Sequence, residues 1–149
     1  MIRRTLPPTL ADTPDELEAQ LYEALQQGDL ERLMALWVDD DEIVCVHPSG
    51  TRCIGAAAIR ASFEAVFAGG GIPVQPEQVH RLQQLGFALH HLVERVQAPG
   101  ENGPQVGWVL STNVYVKTAL GWRVAAHHAS PGLPSVMPMD GGDAPSTLH

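Results

Sequence analysis

Histidine offers more chemistry than any other residue type in this sequence. Its side chain can titrate near neutral pH, ligate a metal or hydrogen-bond inside a core. The seven histidines are His47, His80, His90, His91, His127, His128 and His149. Two pairs are adjacent and fall in segments with strand character, where neighbouring side chains point to opposite faces. Neither pair can therefore hold one ion alone. Structural or pocket histidines are favoured over a metal site, which would need one histidine from each strand and a third ligand.

His47 is the strongest candidate for a catalytic base. It ends a predicted strand directly before the turn Pro48-Ser49-Gly50, a position that would place its imidazole at the mouth of a pocket. Apolar surroundings would lower the pKa of the imidazole and keep it neutral, as a general base requires. The alternative is that the His47 ring only hydrogen-bonds the backbone of the turn.

Three other groups are assigned structural roles. The acidic run at 39–42 suits a solvated turn between a helix and a strand better than a divalent-ion site. Cys45 and Cys53 lie in apolar segments, which favour buried, unreactive thiols over a nucleophile, since a nucleophile needs a lowered pKa. The glycines at 69–71 lack the Lys-Ser/Thr that follows a phosphate-binding loop. The sequence therefore predicts no metal and no cofactor.

Length and composition predict one folded domain and exclude several classes of protein. The chain has 149 residues, of which 44% are hydrophobic and 17% charged, which excludes a disordered chain. A formal charge of −8 argues against nucleic acid and anionic membrane surfaces as partners. No apolar run approaches the roughly 20 residues of a membrane-spanning helix, and residues 1–18 lack the apolar stretch of a secretory signal. Two cysteines make a disulfide scaffold unsuitable, so we expect a cytoplasmic protein with reduced thiols.

Three helices followed by four long strands must position these side chains. Thr13-Pro14-Asp15-Glu16 predicts a capped helix start, and Gly28 and Asp29 separate this first helix from a short second one. A third helix is predicted at about 56–68, short strands at 43–47 and 52–54, and long strands at 73–85, 87–98, 105–118 and 122–130. The pattern indicates an α+β fold, with helices against one face of a curved antiparallel meander. The domain would span residues 13–131, between an N-terminal arm (1–12) and a tail rich in Pro and Gly (132–149).

The strand at 106–118 is apolar on both faces. One face carries Val106, Trp108, Leu110, Thr112, Val114 and Val116, and the other carries Gly107, Val109, Ser111, Asn113, Tyr115 and Lys117. One face must pack against the helices, and we expect the face with Val109 and Tyr115 to be an outer face covered by a second copy of the chain. The sequence therefore predicts a homodimer. The alternative is an ordinary scatter of exposed apolar side chains on a monomer.

The order of these segments resembles the nuclear transport factor 2-like superfamily, in its SnoaL-like and ketosteroid-isomerase-like branch. The resemblance rests on Gly28-Asp29-Leu30, on Leu36-Trp37-Val38-Asp39-Asp40 and on Gly55-x-x-x-Ile59. Gly121-Trp122-Arg123-Val124, His128-Ala129-Ser130-Pro131 and residues 134–138 are similar to the calcium/calmodulin-dependent kinase II association domain. The resemblance covers about 14–138. It implies a cone-shaped, cystatin-like sheet wrapped around a long helix, an open pocket between them and dimers formed through the sheets.

The superfamily includes isomerases, cyclases, dehydratases and silent oligomerisation modules, so the resemblance implies no single activity. His47-Pro48 stands where ketosteroid isomerases place a basic Asp before a Pro. Tyr22 is about one residue out of register with their helix tyrosine, and 105–118 contains no acid for their oxyanion hole. Association domains carry arginines in the pocket; the similar positions here hold Asn113 and Ala129, whereas His128 matches.

The combined interpretation is a mostly apolar pocket edged by a few polar groups. The residues expected to face it are Tyr22, Trp37, His47, Phe63, Trp108, Asn113 and His128. His47 would act as a base or hydrogen-bond partner, His128 and Asn113 would orient the ligand, and the aromatic residues would form walls. Two functions stay open. One is an isomerase, cyclase or dehydratase type of enzyme acting on a small apolar or mixed-polarity molecule, and the other is a non-catalytic dimerisation or association module.

Overall fold

The computed structural model describes residues 11–133 and confirms the predicted α+β fold. The helices are α1 (Pro14–Gln27), α2 (Leu30–Ala35) and α3 (Ala56–Phe67). The strands are β1 (Val44–Val46), β2 (Arg52–Ile54), β3 (Val74–Gln84), β4 (Phe87–Gly100), β5 (Gly103–Thr118) and β6 (Gly121–Pro131). Most of the predicted arm and tail lies outside the described residues. No helix among the described residues has the length and apolar character needed to span a bilayer.

The six strands form one curved, open sheet in the order β2-β1-β6-β5-β4-β3. Strands β3 to β6 are the predicted antiparallel meander. The sequence did not predict the parallel pairing of β1 with β6, in which Cys45 lies opposite His127. This pairing brings the end of β1, and with it His47, beside the last strand of the sheet.

Helix α1 begins and ends at the signals in its sequence. The Thr13 side chain accepts a hydrogen bond from the Glu16 amide at 3.1 Å, which satisfies one of the free amides of the first turn. Gly28 ends the helix in the left-handed conformation, at φ 66°. Leu17, Leu21 and Leu25 are buried on one side of α1. Full burial of a leucine stabilises a fold by about 1.5–3 kcal/mol, so this side of α1 anchors the helix to the core.

A glycine loop crosses the end of α1 and fixes the start of β3. A Cβ atom on Gly71 would lie 1.9 Å from the carbonyl oxygen of Gln26, so only glycine fits this crossing. The Ile72 amide then donates to the Leu25 carbonyl at 2.8 Å. Val74 is buried directly after the crossing.

The structure corrects the predicted assignment of the two faces of β5. Ser111, Asn113 and Tyr115 are buried under the helices, and we call this side of the sheet the inner face. The outer face carries half-buried apolar side chains at Phe87, Leu89, Leu110, Val114 and Val116. A period of two could not show which face the helices cover, because both faces carry apolar residues. Tyr115 and Asn113 are stable inside because each has hydrogen-bond partners there.

Candidate functional site

A cavity of about 360 Å³ lies between the helices and the inner face of the sheet. Most of its lining is apolar and comes from α1, α2, α3 and the strands β3 to β6. The apolar lining residues are Leu21, Leu25, Leu33, Trp37, Pro48, Phe63, Ile72, Val74, Val96, Gly107, Trp108, Val109 and Pro131. The titratable lining residues are His47, Glu94 and His127. Small-molecule sites commonly combine an apolar cavity with a few polar groups in this way.

The hydrogen bonds of His47 fix its tautomer. Its Nε2 lies 2.9 Å from Ser62 Oγ, and Ser62 Oγ donates to the Ile59 carbonyl at 2.7 Å. The single hydroxyl hydrogen of Ser62 is therefore committed, so Ser62 accepts from His47 Nε2–H and the lone pair lies on Nδ1. Burial lowers the pKa of His47, which keeps the imidazole neutral near pH 7. The turn contributes only backbone hydrogen bonds at this residue, from the His47 amide to the Thr51 carbonyl and from the Gly50 amide to the His47 carbonyl.

His127 is a second neutral imidazole at the cavity. Its Nδ1 lies 2.5 Å from Asn113 Oδ1. An amide oxygen can only accept, so His127 Nδ1–H donates and the lone pair lies on Nε2. Burial lowers the pKa of His127 and outweighs the opposing effect of the nearby Glu94 charge.

A buried hydrogen-bond network holds Asn113 in that orientation. Asn113 Nδ2 donates to the hydroxyl oxygens of Tyr22 at 3.2 Å and Tyr115 at 3.1 Å. The two tyrosines donate their own hydrogens to Glu94 Oε2 at 2.6 Å and to Glu18 Oε2 at 2.7 Å. Burial and the neighbouring carboxylates raise the pKa of both tyrosines well above 10, so both remain donors. The amide is thus held by partners on two sides, and its oxygen is left for His127.

The network extends away from the cavity through Glu18. His90 Nδ1 lies 2.7 Å from Glu18 Oε2, and His90 is fully buried. Neither residue lines the cavity. Glu18 and His90 therefore support Tyr115 and Asn113 from behind.

The structure places the predicted site residues at different distances from the cavity. Trp37, Phe63 and Trp108 line it together with His47. Tyr22 and Asn113 lie one layer behind the lining, where Tyr22 hydrogen-bonds Glu94 and Asn113 hydrogen-bonds His127.

His128 is not at the cavity, which corrects the prediction. It is exposed and pairs with Thr112, whereas its neighbour His127 pairs with Asn113 on the inner face. The reason is a β-bulge. Val114 pairs with Ala126 and Tyr115 pairs with Val124, so Ala125 is an extra residue in β6. The alternation that begins at the buried Trp122 and Val124 would bring His128 inside, and the extra residue brings His127 inside instead.

Sequence reasoning missed Glu94 and His127 as lining residues. Glu94 is 6% exposed, and its position on β4 alternates with the buried His90 and Leu92. A carboxylate in the apolar register of a strand was the available signal, because a buried charge is rare unless it has partners or a function.

The acidic run and the two cysteines lie in surroundings that fit structural roles. In the acidic run, the Glu42 amide donates to Asp40 Oδ1 at 2.8 Å, which is turn geometry. Cys45 and Cys53 are buried free thiols opposite one another on β1 and β2, and burial raises the pKa of Cys45 to about 12. Within residues 11–133, no three His, Cys, Asp or Glu side chains form a group able to hold a metal ion.

The comparisons with known proteins agree on family and fold. A family model described as a SnoaL-like domain matches residues 15–134. A Thiobacillus denitrificans structure, provisionally named as a calcium/calmodulin-dependent protein kinase type II association domain, is 34% identical with a TM-score of 0.75; the match covers 83% of this chain and 98% of that one. A Streptomyces avermitilis structure, provisionally named as a dehydratase of the NTF2-like family, is 28% identical with a TM-score of 0.70 and coverages of 81% and 99%.

A more distant structure shows the fold alone. The CaMKII hub of S. rosetta is 21% identical with a TM-score of 0.66, over 85% of this chain and all of that one (100%). No curated protein matches this chain.

Proposed function

Since this chain belongs to the SnoaL-like family, we propose that it binds a small, largely apolar molecule in the cavity and removes a proton from it, with His47 as the general base. The observation that carries the proposal is the lining itself. Apolar walls enclose two neutral imidazoles and one carboxylate in a space of about 360 Å³. The reaction class is proton abstraction, as in isomerases, cyclases and dehydratases.

The surroundings of His47 suit it to accept a proton. The hydrogen bond to Ser62 leaves Nδ1 as the basic nitrogen, and the proton would be taken there. The imidazolium formed would keep its Nε2–H bond to Ser62, whose hydroxyl remains anchored on the Ile59 carbonyl. The same hydrogen bond orients the ring before reaction, and edge contact with Phe63 at 5.0 Å between ring centroids restricts it further. Positioned bases of this kind typically contribute about 10²–10⁴-fold in rate.

A generic proton-abstraction reaction tests the base without a known substrate. In 5-nitrobenzisoxazole, loss of the C3 proton to the base breaks the N–O bond and releases a coloured cyanophenolate. We expect the protein to accelerate this reaction, and His47→Ala to lower the rate by about 100-fold or more with little change in melting temperature. His80→Ala, which changes an exposed histidine of β3, is the matched control and should keep the full rate. An unchanged rate in His47→Ala would exclude His47 as the base, and unfolding of that variant would assign it a structural role.

The outer face favours a second function, self-association into a homodimer. It presents half-buried apolar side chains from both β4 and β5. The relative that is 34% identical is itself provisionally named as an association domain. Burying this face against a second copy would remove apolar surface from water, the main driving force for protein association. The cavity lies on the other face of the sheet, so the two functions are compatible.

A further inference from the structure

The polar side chains at the cavity present hydrogen-bond acceptors. His47 Nδ1 and His127 Nε2 carry lone pairs, because the opposite nitrogen of each ring donates to Ser62 and to Asn113. Glu94 adds a carboxylate whose Oε2 accepts from Tyr22. Its Oε1 has no hydrogen-bond partner among the described residues. The cavity thus offers at least three acceptor atoms from three different strands or strand ends.

The hydrogen-bond donors near the cavity either donate to another residue already or have almost no accessible surface. The indole nitrogens of Trp37 and Trp108 have less than 1 Å² of accessible surface, so neither can reach a molecule in the cavity although both residues line it. The Tyr22 hydroxyl hydrogen is already given to Glu94. Within residues 11–133, the lining side-chain donors without a hydrogen-bond partner are therefore the two indole N–H groups, and neither has accessible surface to offer a ligand. A ligand bearing only acceptors, such as a carboxylate, would find no side-chain partner and would leave buried acceptors unpaired, which costs free energy.

The buried charge of Glu94 also favours a ligand that carries hydrogen-bond donors, in particular a cation. Glu94 is 6% exposed, and among the described residues no Lys or Arg lies within ion-pair distance of it. The adjacent Arg95 instead contacts Glu77, with 3.3 Å between Arg95 Nε and Glu77 Oε1. A buried carboxylate without a cation is costly, and a cation from the ligand would offset that cost. The aromatic residues Trp37 and Phe63 line the same cavity and would favour a cation further.

We propose that the cavity selects an organic ammonium ion, a primary amine carried on an apolar body, with the ammonium on Glu94 and His127. This inference rests on the proposed small-molecule site and adds the charge class of its ligand. Two N–H donors of the ammonium would bind Glu94 Oε1 and His127 Nε2, and His47 Nδ1 would stay free for proton abstraction. The apolar body would occupy the space between α1, α3 and the sheet.

Three probes of matched size distinguish the ligand class: 4-phenylbutylamine, 4-phenylbutan-1-ol and 4-phenylbutanoate. Isothermal titration calorimetry of the full chain at about pH 7.5 should show the amine binding at least about tenfold more tightly than the alcohol, and the carboxylate at least about tenfold more weakly. Equal binding of amine and alcohol, or tightest binding of the carboxylate, would overturn the amine preference and leave the small-molecule site standing. If none of the three binds, the site and its preference both fail.

Removing the charge of Glu94 should remove the preference for the amine over the alcohol. Glu94→Gln keeps an acceptor for Tyr22, so we expect its affinity for the alcohol to stay within about threefold of wild type while the amine loses its advantage. Glu77→Gln removes a carboxylate on the outer side of the adjacent strand β3 and should preserve the amine preference. A Glu94→Gln variant that still prefers the amine by tenfold would exclude Glu94 as the recognition group. If Glu94→Gln does not fold, the order of affinities of the three probes for the wild-type chain decides whether the cavity prefers an amine.

Discussion

The two faces of the sheet show opposite distributions of polar and apolar side chains. The inner face buries polar groups that would ordinarily be exposed, and the outer face leaves apolar groups half-buried. The buried polar groups are His90, Glu94, Ser111 and Asn113. The difference shows that polar side chains with hydrogen-bond partners inside the fold, such as Glu94 and Asn113, can be buried like apolar ones. It also shows where each face is incomplete, since the inner face encloses a cavity and no element within residues 11–133 covers the outer face.

Glu94 and Asn113 are accommodated on the inner face because they belong to one connected set of hydrogen bonds, whereas Ser111 Oγ and His90 Nε2 are buried without a hydrogen-bond partner in the part of the chain that the structure describes. Each such bond contributes only about 0.5–1.5 kcal/mol net, but a buried group that loses its partner costs about 1–3 kcal/mol. A connected network is therefore sensitive to the loss of any central member. The outer face has no such dependence, because its apolar contacts are not directional.

The largest loss of stability is expected when Asn113, the central residue of the inner hydrogen-bond network, is truncated. Asn113→Ala removes bonds to Tyr22, Tyr115 and His127 at once, because Asn113 is fully buried between them. We expect the free energy of unfolding to fall by about 3 kcal/mol, measured by urea denaturation.

Thr112→Ala is the matched control on the other face. Thr112 directly precedes Asn113 in β5 and is half-buried on the outer side, so its truncation should cost less than about 1 kcal/mol. Equal losses in the two variants would contradict the contrast between the faces.

A charge on the outer face should produce the next largest effect. Val114→Glu places two like charges in any interface formed by two copies of this face, and we expect dimer dissociation to become easier by about 2 kcal/mol, roughly 30-fold. Sedimentation velocity across a concentration series measures the change. The control is Val66→Glu, which makes the same substitution at an exposed valine of α3, away from the outer face (41% exposed). A wild-type chain that stays monomeric at high concentration would contradict the dimer.

Acid should weaken the inner face selectively, and this effect is the smallest of the three. Burial lowers the pKa of His127 in the folded protein, so the unfolded chain binds a proton at higher pH than the folded chain does. The stability associated with neutral His127 is complete above its unfolded pKa, near 6.5, and is lost as pH falls toward the lower folded value. Each unit of lowering corresponds to about 1.4 kcal/mol.

Denaturation curves at several pH values between neutrality and mild acid measure this loss. His127→Gln should flatten the dependence, because glutamine does not titrate there. His128→Gln changes the exposed neighbour and should leave the dependence as in wild type. If both variants behave alike, burial of His127 is not the source of the acid sensitivity.

Local signals predicted most of the fold. The Thr13 cap, the Gly28 stop and the change from helical to alternating periodicity gave helix and strand limits within a few residues of those observed. Such signals depend on interactions between residues close in sequence, which is why they can be recognised without a structure.

The composition of the site could not be predicted in the same way. Tyr22 meets Glu94 across 72 residues and Asn113 across 91 residues. Contacts at such separation depend on which face of each strand is inside, and a shift of one residue reverses that choice. The prediction named Tyr22 and Asn113 but missed the partners that connect them to the cavity, Glu94 and His127.

The extra residue at Ala125 divides β6 into two segments of opposite parity. Before it, even-numbered side chains face inward, as Trp122 and Val124 do; after it, odd-numbered ones do, as His127 and Ala129 do. Deletion of Ala125 would join the two segments in one continuous alternation and keep His127 on the cavity side, whereas loss of the bulge without a deletion would bring His128 inside. Among relatives of this chain, the number of residues between the tryptophan and the histidine pair should therefore be considered together with the presence of a bulge to decide which histidine enters the cavity.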